Sequence, residues 1–107
     1  MLADEVALDV YRLTRNFPKT EVYGMAAQMR RAAVSVPSNI VEGCARSTRA
    51  DYRRFLEIAF GSLRELHYQL GLAHRLDYVS DHDFEKFDGL CVETEKVLGA
   101  LFRSQAG

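Results

Sequence analysis

The sequence predicts an all-α protein, an antiparallel up-down-up-down four-helix bundle that forms a single domain over residues 1–107. Three observations predict it. Apolar residues recur every three or four positions through four separate segments. No segment alternates apolar and polar residues with the period of a strand. The connections are short, which makes successive helices antiparallel neighbours. With 48% apolar and 27% charged residues, the chain can fill one small core and still cover it with a wet surface.

The first helix is expected from about Asp4 to Thr14. Val6, Val10, Leu13 and Phe17 recur at helical spacing. Asp4, Glu5 and Asp9 lie toward its start, and Arg12 and Arg15 toward its end, which complements the helix dipole. Pro18 ends it, because the residue before a proline is pushed out of the α region.

The second helix is expected to open between Pro18 and Glu21, where proline suits a first turn and Thr20 can cap. Val22, Met25, Met29, Ala32 or Ala33, Val36 and Ile40 form its main apolar stripe. Val34, Pro37 and Val41 make a second apolar face, and Gln28, Arg31, Ser35, Asn39 and Glu42 a polar one. A helix apolar on two faces belongs near the middle of a bundle. Pro37 deletes one backbone hydrogen bond and crowds the carbonyl of Ala33. The helix either stops near Ser35 and restarts at Pro37, or continues with a kink. The stripe keeps its phase from Met29 through Val36 to Ile40, which favours a kink at Pro37. Ser35, Ser38 and Asn39 are placed to bond the backbone groups the proline leaves unpaired. Gly43 offers the end.

The third helix is expected from about Thr48 to Leu76, with Ser47 or Thr48 as cap and Asp51 completing an approximate capping box. Tyr52, Leu56, Ala59, Leu63, Leu66, Leu70 and Ala73 make its stripe, with Phe55 and Ile58 beside it. Such a helix is about 43 Å long at ~1.5 Å per residue. Gly61 sits inside it, where glycine costs about 1 kcal/mol against alanine; close approach of a neighbouring helix would compensate. Asp77, Tyr78 and Val79 form a short connector. Ser80 and Asp83 then cap a fourth helix, Asp81 to about Arg103, with Phe84, Phe87, Leu90 or Cys91, Thr94, Leu98 and Leu101 as its stripe.

Net charge is −1, so the chain as a whole is no basic nucleic-acid coat, and any electrostatic footprint must be local. The N-terminal stretch lacks the layout of a secretory signal, and no apolar run approaches the ~18 residues of a membrane span. Cys44 and Cys91 lie in helical patterns without metal-type spacing. The expectation is a reducing cytoplasm with both thiols free.

Several motifs resemble a known family. They are Tyr11 to Lys19 (YRLTRNFPK), Gln28 to Gly43 (QMRRAAVSVPSNIVEG), Arg46, Phe55 to Leu66 (FLEIAFGSLREL), and Gln69-Leu70. Together they span nearly the whole chain. The block around Ser35-Val36-Pro37-Ser38-Asn39-Ile40 is the most specific. The chain resembles the four-helix-bundle proteins encoded by intervening sequences in bacterial 23S ribosomal RNA genes, a family that includes accessory proteins of diversity-generating retroelements. It departs from the family pattern at Ala45, where glycine is common, and at Val41, where alanine is. The resemblance implies a homo-oligomer, a five-fold ring of bundles (a pentamer). It also implies a non-enzymatic role connected with structured RNA or with a reverse transcriptase complex.

The candidate site is the arginine cluster. Arg30, Arg31, Arg46, Arg49, Arg53 and Arg54 stand against only Glu42 and Asp51 between Gln28 and Arg54, an excess of four positive charges in a chain whose total is negative. Guanidinium forks match phosphates in bidentate fashion, and basic patches supply the sequence-independent part of RNA or DNA affinity. The competing reading is a solvated surface with ordinary pairs such as Arg53 with Glu57. The polar face of helix 2 reads either as a subunit interface or cleft, or as polar chemistry around the kink. His67 and His74 share a face about 10.5 Å apart along the axis, too far to share one zinc at ~2.1 Å per ligand; surface histidines are the default. No triad, phosphate loop or dinucleotide fingerprint is present. The expected function is a non-enzymatic oligomer without cofactor or metal that binds RNA or DNA. The alternative is a scaffold that docks a protein such as a reverse transcriptase.

Overall fold

A computed structural model describes residues 1–105. Four α-helices are present: α1, Leu2–Thr14; α2, Met25–Cys44; α3, Arg49–Arg75; and α4, Asp81–Ser104. A single 3₁₀ turn, Lys19–Glu21, interrupts the α1–α2 connection. No strand occurs among the described residues. Two of the sequence-derived caps are formed. Thr48 Oγ1 accepts from the Asp51 N–H at 3.1 Å, and Ser80 Oγ accepts from the Asp83 N–H at 3.1 Å.

Each helix packs on the next, and α1 closes the ring against α4, while the backbones of the diagonal pairs stay apart. That is the neighbour pattern of an up-down-up-down four-helix bundle. The antiparallel sense is visible in cross-helix pairs between α3 and α4. Arg53 meets Phe102, Arg64 meets Glu95, His67 meets Asp88, and His74 meets Asp81, so one number falls as the other rises. The centre is filled by Met29, Leu56, Leu63, Leu66, Leu70, Val6, Val10, Val36 and Cys91, all essentially without solvent contact. At about 25 cal/mol per Å² of buried apolar surface, side chains of this size each contribute about 1.5–3 kcal/mol.

Helix α2 runs through Pro37 without a break, which rules out the stop-and-restart alternative. Its start differs from expectation. Pro18 only introduces the 3₁₀ turn, Gly24 is the N-cap, and Val22 is exposed rather than part of the stripe. The reason is a local competitor. Glu21 Oε1 accepts the Met25 N–H at 2.9 Å, so the chain is turned once more before the α-helix begins. Of the two apolar faces, the Met29–Val36 stripe is the buried one. Val34 and Val41 are 41% and 63% exposed, so within one chain this face looks outward. The polar residues near the proline serve a different purpose from the one expected. Asn39 Nδ2 donates to the Ser35 carbonyl and hydroxyl at 2.8 and 2.9 Å, and Ser35 Oγ meets Ser62 Oγ at 2.8 Å. The Ser35–Ser62 contact ties α2 to α3, and the Asn39 bonds stay within α2.

Glycine positions separate in the same way. Gly43 lies inside α2, one residue before its last, and a Cβ there would meet Phe55 Cβ and Tyr52 Cδ1 at 3.0 Å. The helix ends one residue beyond Gly43, as expected, and the glycine also permits the close approach of α3. Gly61 has open space around it and faces away from the core, opposite Ala59 and Leu63. The close approach expected at Gly61 occurs at Ser62 instead, and nothing in the chain explains the glycine. At Ala45, φ is −86°, so the α2–α3 turn makes no demand for glycine there.

Polar ties close the other end and the α3–α4 seam. Glu21, through its second oxygen, accepts from the Tyr78 hydroxyl at 3.0 Å, and Tyr78 packs on Phe17 at 5.3 Å between ring centroids. One carboxylate therefore caps α2 and joins both connectors. Helix α3 ends with Asp77 at φ 62°, while the Asp77 and Tyr78 N–H groups reach back to the His74 and Ala73 carbonyls at 3.0 and 2.9 Å.

His82 is exposed, as expected of a surface histidine, whereas His67 and His74 are seam residues. His74 stacks on Phe84 at 4.1 Å and bonds Asp81 Oδ1 at 2.7 Å. His67 places Nε2 at 2.5 Å from Asp88 Oδ1 and Nδ1 at 2.8 Å from Glu95 Oε1. Carboxylates only accept, so both ring nitrogens must carry protons to satisfy this geometry. Burial works to lower the His67 pKa, but hydrogen bonds and charge from Asp88 and Glu95 outweigh it and raise the value above 6.5. Cys91, buried beside them, has its thiol pushed up to about 12 by desolvation, with Glu95 and Asp88 adding to it. Cys44 is exposed, and both cysteines are free thiols.

Two outcomes follow from these ties. Glu21→Ala removes the α2 cap and the link to Tyr78, and should cost about 1–2 kcal/mol in denaturant unfolding; an unchanged midpoint would contradict the capping role. The His67 charge stabilises the fold fully below the unfolded-state pKa of about 6.5. That contribution is lost as pH rises through the higher folded-state value. Thermal midpoints measured from pH 6 to pH 9 should therefore fall more in the wild type than in His67→Gln, and parallel profiles would refute the assignment.

Candidate nucleic-acid interface

The α2–α3 turn brings together Arg46, Arg49, Arg53 and Arg54. Arg46 follows the last turn of α2, with its N–H bonded to the Gly43 carbonyl at 3.0 Å. Arg49 opens α3, and Arg53 and Arg54 lie one turn further on. The extended Thr48 cap forces the chain to reverse within four residues, so the end of one helix and the start of the next share one end of the bundle. Basic side chains at a helix start add to the positive end of its dipole and raise the local potential.

Three of these arginines lie on aromatic rings. The Arg46 guanidinium carbon is 5.0 Å from the Phe55 ring centroid, and that of Arg54 is 5.1 Å from the same ring. Arg53 lies 4.2 Å over Phe102 of α4. A guanidinium held over a ring can still donate its N–H groups to an acceptor elsewhere. Arg46 also donates to the Glu42 carbonyl at 3.3 Å and pairs loosely with the Glu42 carboxylate at 3.5 Å. Such an exposed pair is weak and screened by salt. Arg53 turns to α4 rather than to Glu57, because its phase on α3 is that of Phe60, Arg64 and His67, the residues facing α4. Its Nε is buried without a hydrogen-bond partner.

The other two arginines are elsewhere. Arg30 binds α1: its Nε donates to the buried Thr14 hydroxyl at 2.8 Å, and its guanidinium lies 4.8 Å from the Tyr11 ring. Arg31 is exposed on the side of α2. Both are about 20 Å along the helix axis from the α2–α3 turn, at ~1.5 Å per residue. The sequence cluster is thus two groups in space. Sequence reasoning missed Phe55 and Phe102 as the rings beneath the arginines, and Arg103 of the adjoining α4 turn. An aromatic directly after a basic pair is a faint signal for Phe55. No local signal connects residues near 53 with residues near 102.

Among the described residues, no cluster of three or more His, Cys, Asp or Glu side chains could hold a metal ion. No helix is long and apolar enough to cross a membrane. A cavity of about 460 Å³ lies at the opposite end between α1 and α4, lined by Arg12, Leu13, Asn16, Tyr78, Lys86 and Phe87 among others.

Fold and site together define a small helical-bundle protein with an arginine- and aromatic-lined end. The chain belongs to the 23S rRNA-intervening sequence protein family, whose family model matches residues 1–100. It is similar to a crystal structure from Bacteroides thetaiotaomicron VPI-5482, a protein of unknown function from the S23 ribosomal protein family. The two share 26% identity over 94% of each chain, with a TM-score of 0.84. No curated protein matches the chain.

Proposed function

We propose that this protein is a non-enzymatic, homo-oligomeric binder of structured RNA or DNA in the cytoplasm, and that Arg46, Arg49, Arg53 and Arg54 contact the phosphate backbone. The observation that carries this reading is the convergence of four guanidiniums at one end of the bundle, three of them stacked on phenylalanine rings. Stacked guanidiniums lose less rotamer freedom when they meet a phosphate. The family's name, which refers to a 23S rRNA intervening sequence, agrees with RNA as ligand. Arg30 is engaged within the chain and is left out of the contact set. Arg31 is peripheral to it.

Support for self-assembly comes from the outward apolar face of α2, where Val34 and Val41 flank Pro37. The same face could instead dock a different protein, such as a reverse transcriptase, which is the competing reading.

In a mobility-shift titration with a labelled RNA hairpin, affinity should fall steeply with salt. The expected slope of log K on log salt is about −0.7 to −0.9 per phosphate neutralised. The triple variant Arg46→Ala/Arg49→Ala/Arg53→Ala should lose binding. No binding by the wild type even at low salt removes the proposal. Light scattering should give about five times 12.1 kDa, the pentamer implied by the resemblance; a mass near 12.1 kDa sinks self-assembly and favours the docking reading.

A further inference from the structure

We propose that Phe55 is the positioning residue of a two-arginine clamp, whose ring fixes Arg46 and Arg54 to take neighbouring phosphates of one nucleic-acid strand. The inference rests on the nucleic-acid reading above and adds to it a residue, a ligand geometry and a mode of readout.

Phe55 is held from below. Its Cβ lies where α2 comes closest to α3, 3.0 Å from the position a side chain at Gly43 would take. The side chain is partly buried and rooted in the helix–helix seam, so the ring is a fixed surface. Two guanidiniums meet that surface from different directions in sequence. Arg46 arrives from the end of α2, and Arg54 from the preceding position of α3. Their centroid distances of 5.0 and 5.1 Å limit the separation of the two guanidinium carbons to no more than the sum. Phosphates on one strand of a duplex advance about 3.4 Å per step along the axis. Neighbouring phosphates of one strand therefore fall within the span the pair can bridge.

Arg46 is held a second time, by its Nε bond to the Glu42 carbonyl, and its side chain remains 40% exposed. Its Nη1 group has no partner in the chain among the described hydrogen bonds and is free to donate outward. The Glu42 carboxylate is the nearest competing anion; at 3.5 Å and 57% exposure it is a weak rival to a phosphate. Guanidiniums that donate to phosphates fix position and carry no base information. The clamp thus belongs to sequence-independent binding.

The test measures anisotropy of a labelled RNA hairpin with four proteins across a salt series: wild type, Phe55→Tyr, Phe55→Leu, and Arg46→Lys/Arg54→Lys. Phe55→Tyr should bind as the wild type does. Phe55→Leu should weaken binding about five- to tenfold with the salt slope unchanged, because two cation–π contacts are lost and no charge is. The double lysine variant leaves Phe55 packing untouched and should also bind several-fold more weakly at the same slope, which guards against a folding defect in Phe55→Leu. An independent readout is the NMR shift of the Arg46 and Arg54 Nε–H protons. Ring current should move them upfield in wild type and Phe55→Tyr and release them in Phe55→Leu. If the wild type binds RNA and the arginine-to-alanine variant does not, yet Phe55→Leu binds as the wild type, the clamp is wrong and the nucleic-acid reading stands. If the wild type binds no RNA, both fall.

Discussion

The close contact between α2 and α3 is the constraint on which the rest of the molecule depends. It is the most extensive helix–helix contact in the chain. Small residues make it possible: Gly43 admits Tyr52 and Phe55, and the hydroxyls of Ser35 and Ser62 meet directly. Buried Ala32, Ala33 and Ala59 allow the backbones to approach along the same seam. A side chain larger than hydrogen at Gly43 would push α3 away at the point where the helices must turn into one another. The site grows out of that contact, because the ring that carries Arg46 and Arg54 is rooted in it.

The other seams are held by chemistry of a different kind. Between α3 and α4, a row of ionisable groups runs beside the apolar core: Arg64, His67, Asp88 and Glu95, with Cys91 beneath them. Between α1 and α2, Arg30 reaches a buried threonine whose own hydroxyl bonds the Val10 carbonyl. At the connector end, Glu21 serves two elements at once. Each is a directional contact at the margin of a non-directional core. Such contacts select one register among the several that an apolar stripe would allow. Helix α2 stays continuous through Pro37, and near the gap in its ladder the Ser35 hydroxyl ties it to α3.

The division of the arginines shows how the fold sorts residues that look equivalent in sequence. Arg30 and Arg31 are adjacent, yet one is a strut to α1 and the other is exposed. Arg53 and Arg54 are adjacent too, and they stack on rings from different helices. A helix advances about 100° per residue, so neighbours in sequence face different partners. Membership of the 23S rRNA-intervening sequence protein family sets the biological context of this arrangement, and the surface chemistry at the α2–α3 turn gives it a physical expression.

Local rules determined much of this protein. The all-α class, the number of helices, the caps at Thr48 and Ser80, and the core stripes of α3 and α4 follow from periodicity and from side chains that bond their own backbone. Those interactions span a few residues, and the sequence contains both partners. What escaped it were the start of α2, which of its two apolar faces is buried, the open surroundings of Gly61, the two carboxylates around His67, and the rings beneath the arginines. Each depends on a partner far away in the chain or on which side of a helix meets a neighbour. Glu21 reaches Tyr78, His67 reaches Glu95, and Arg53 reaches Phe102. Spacing along a chain encodes the phase of a helix but not what lies opposite it. Only packing decides that.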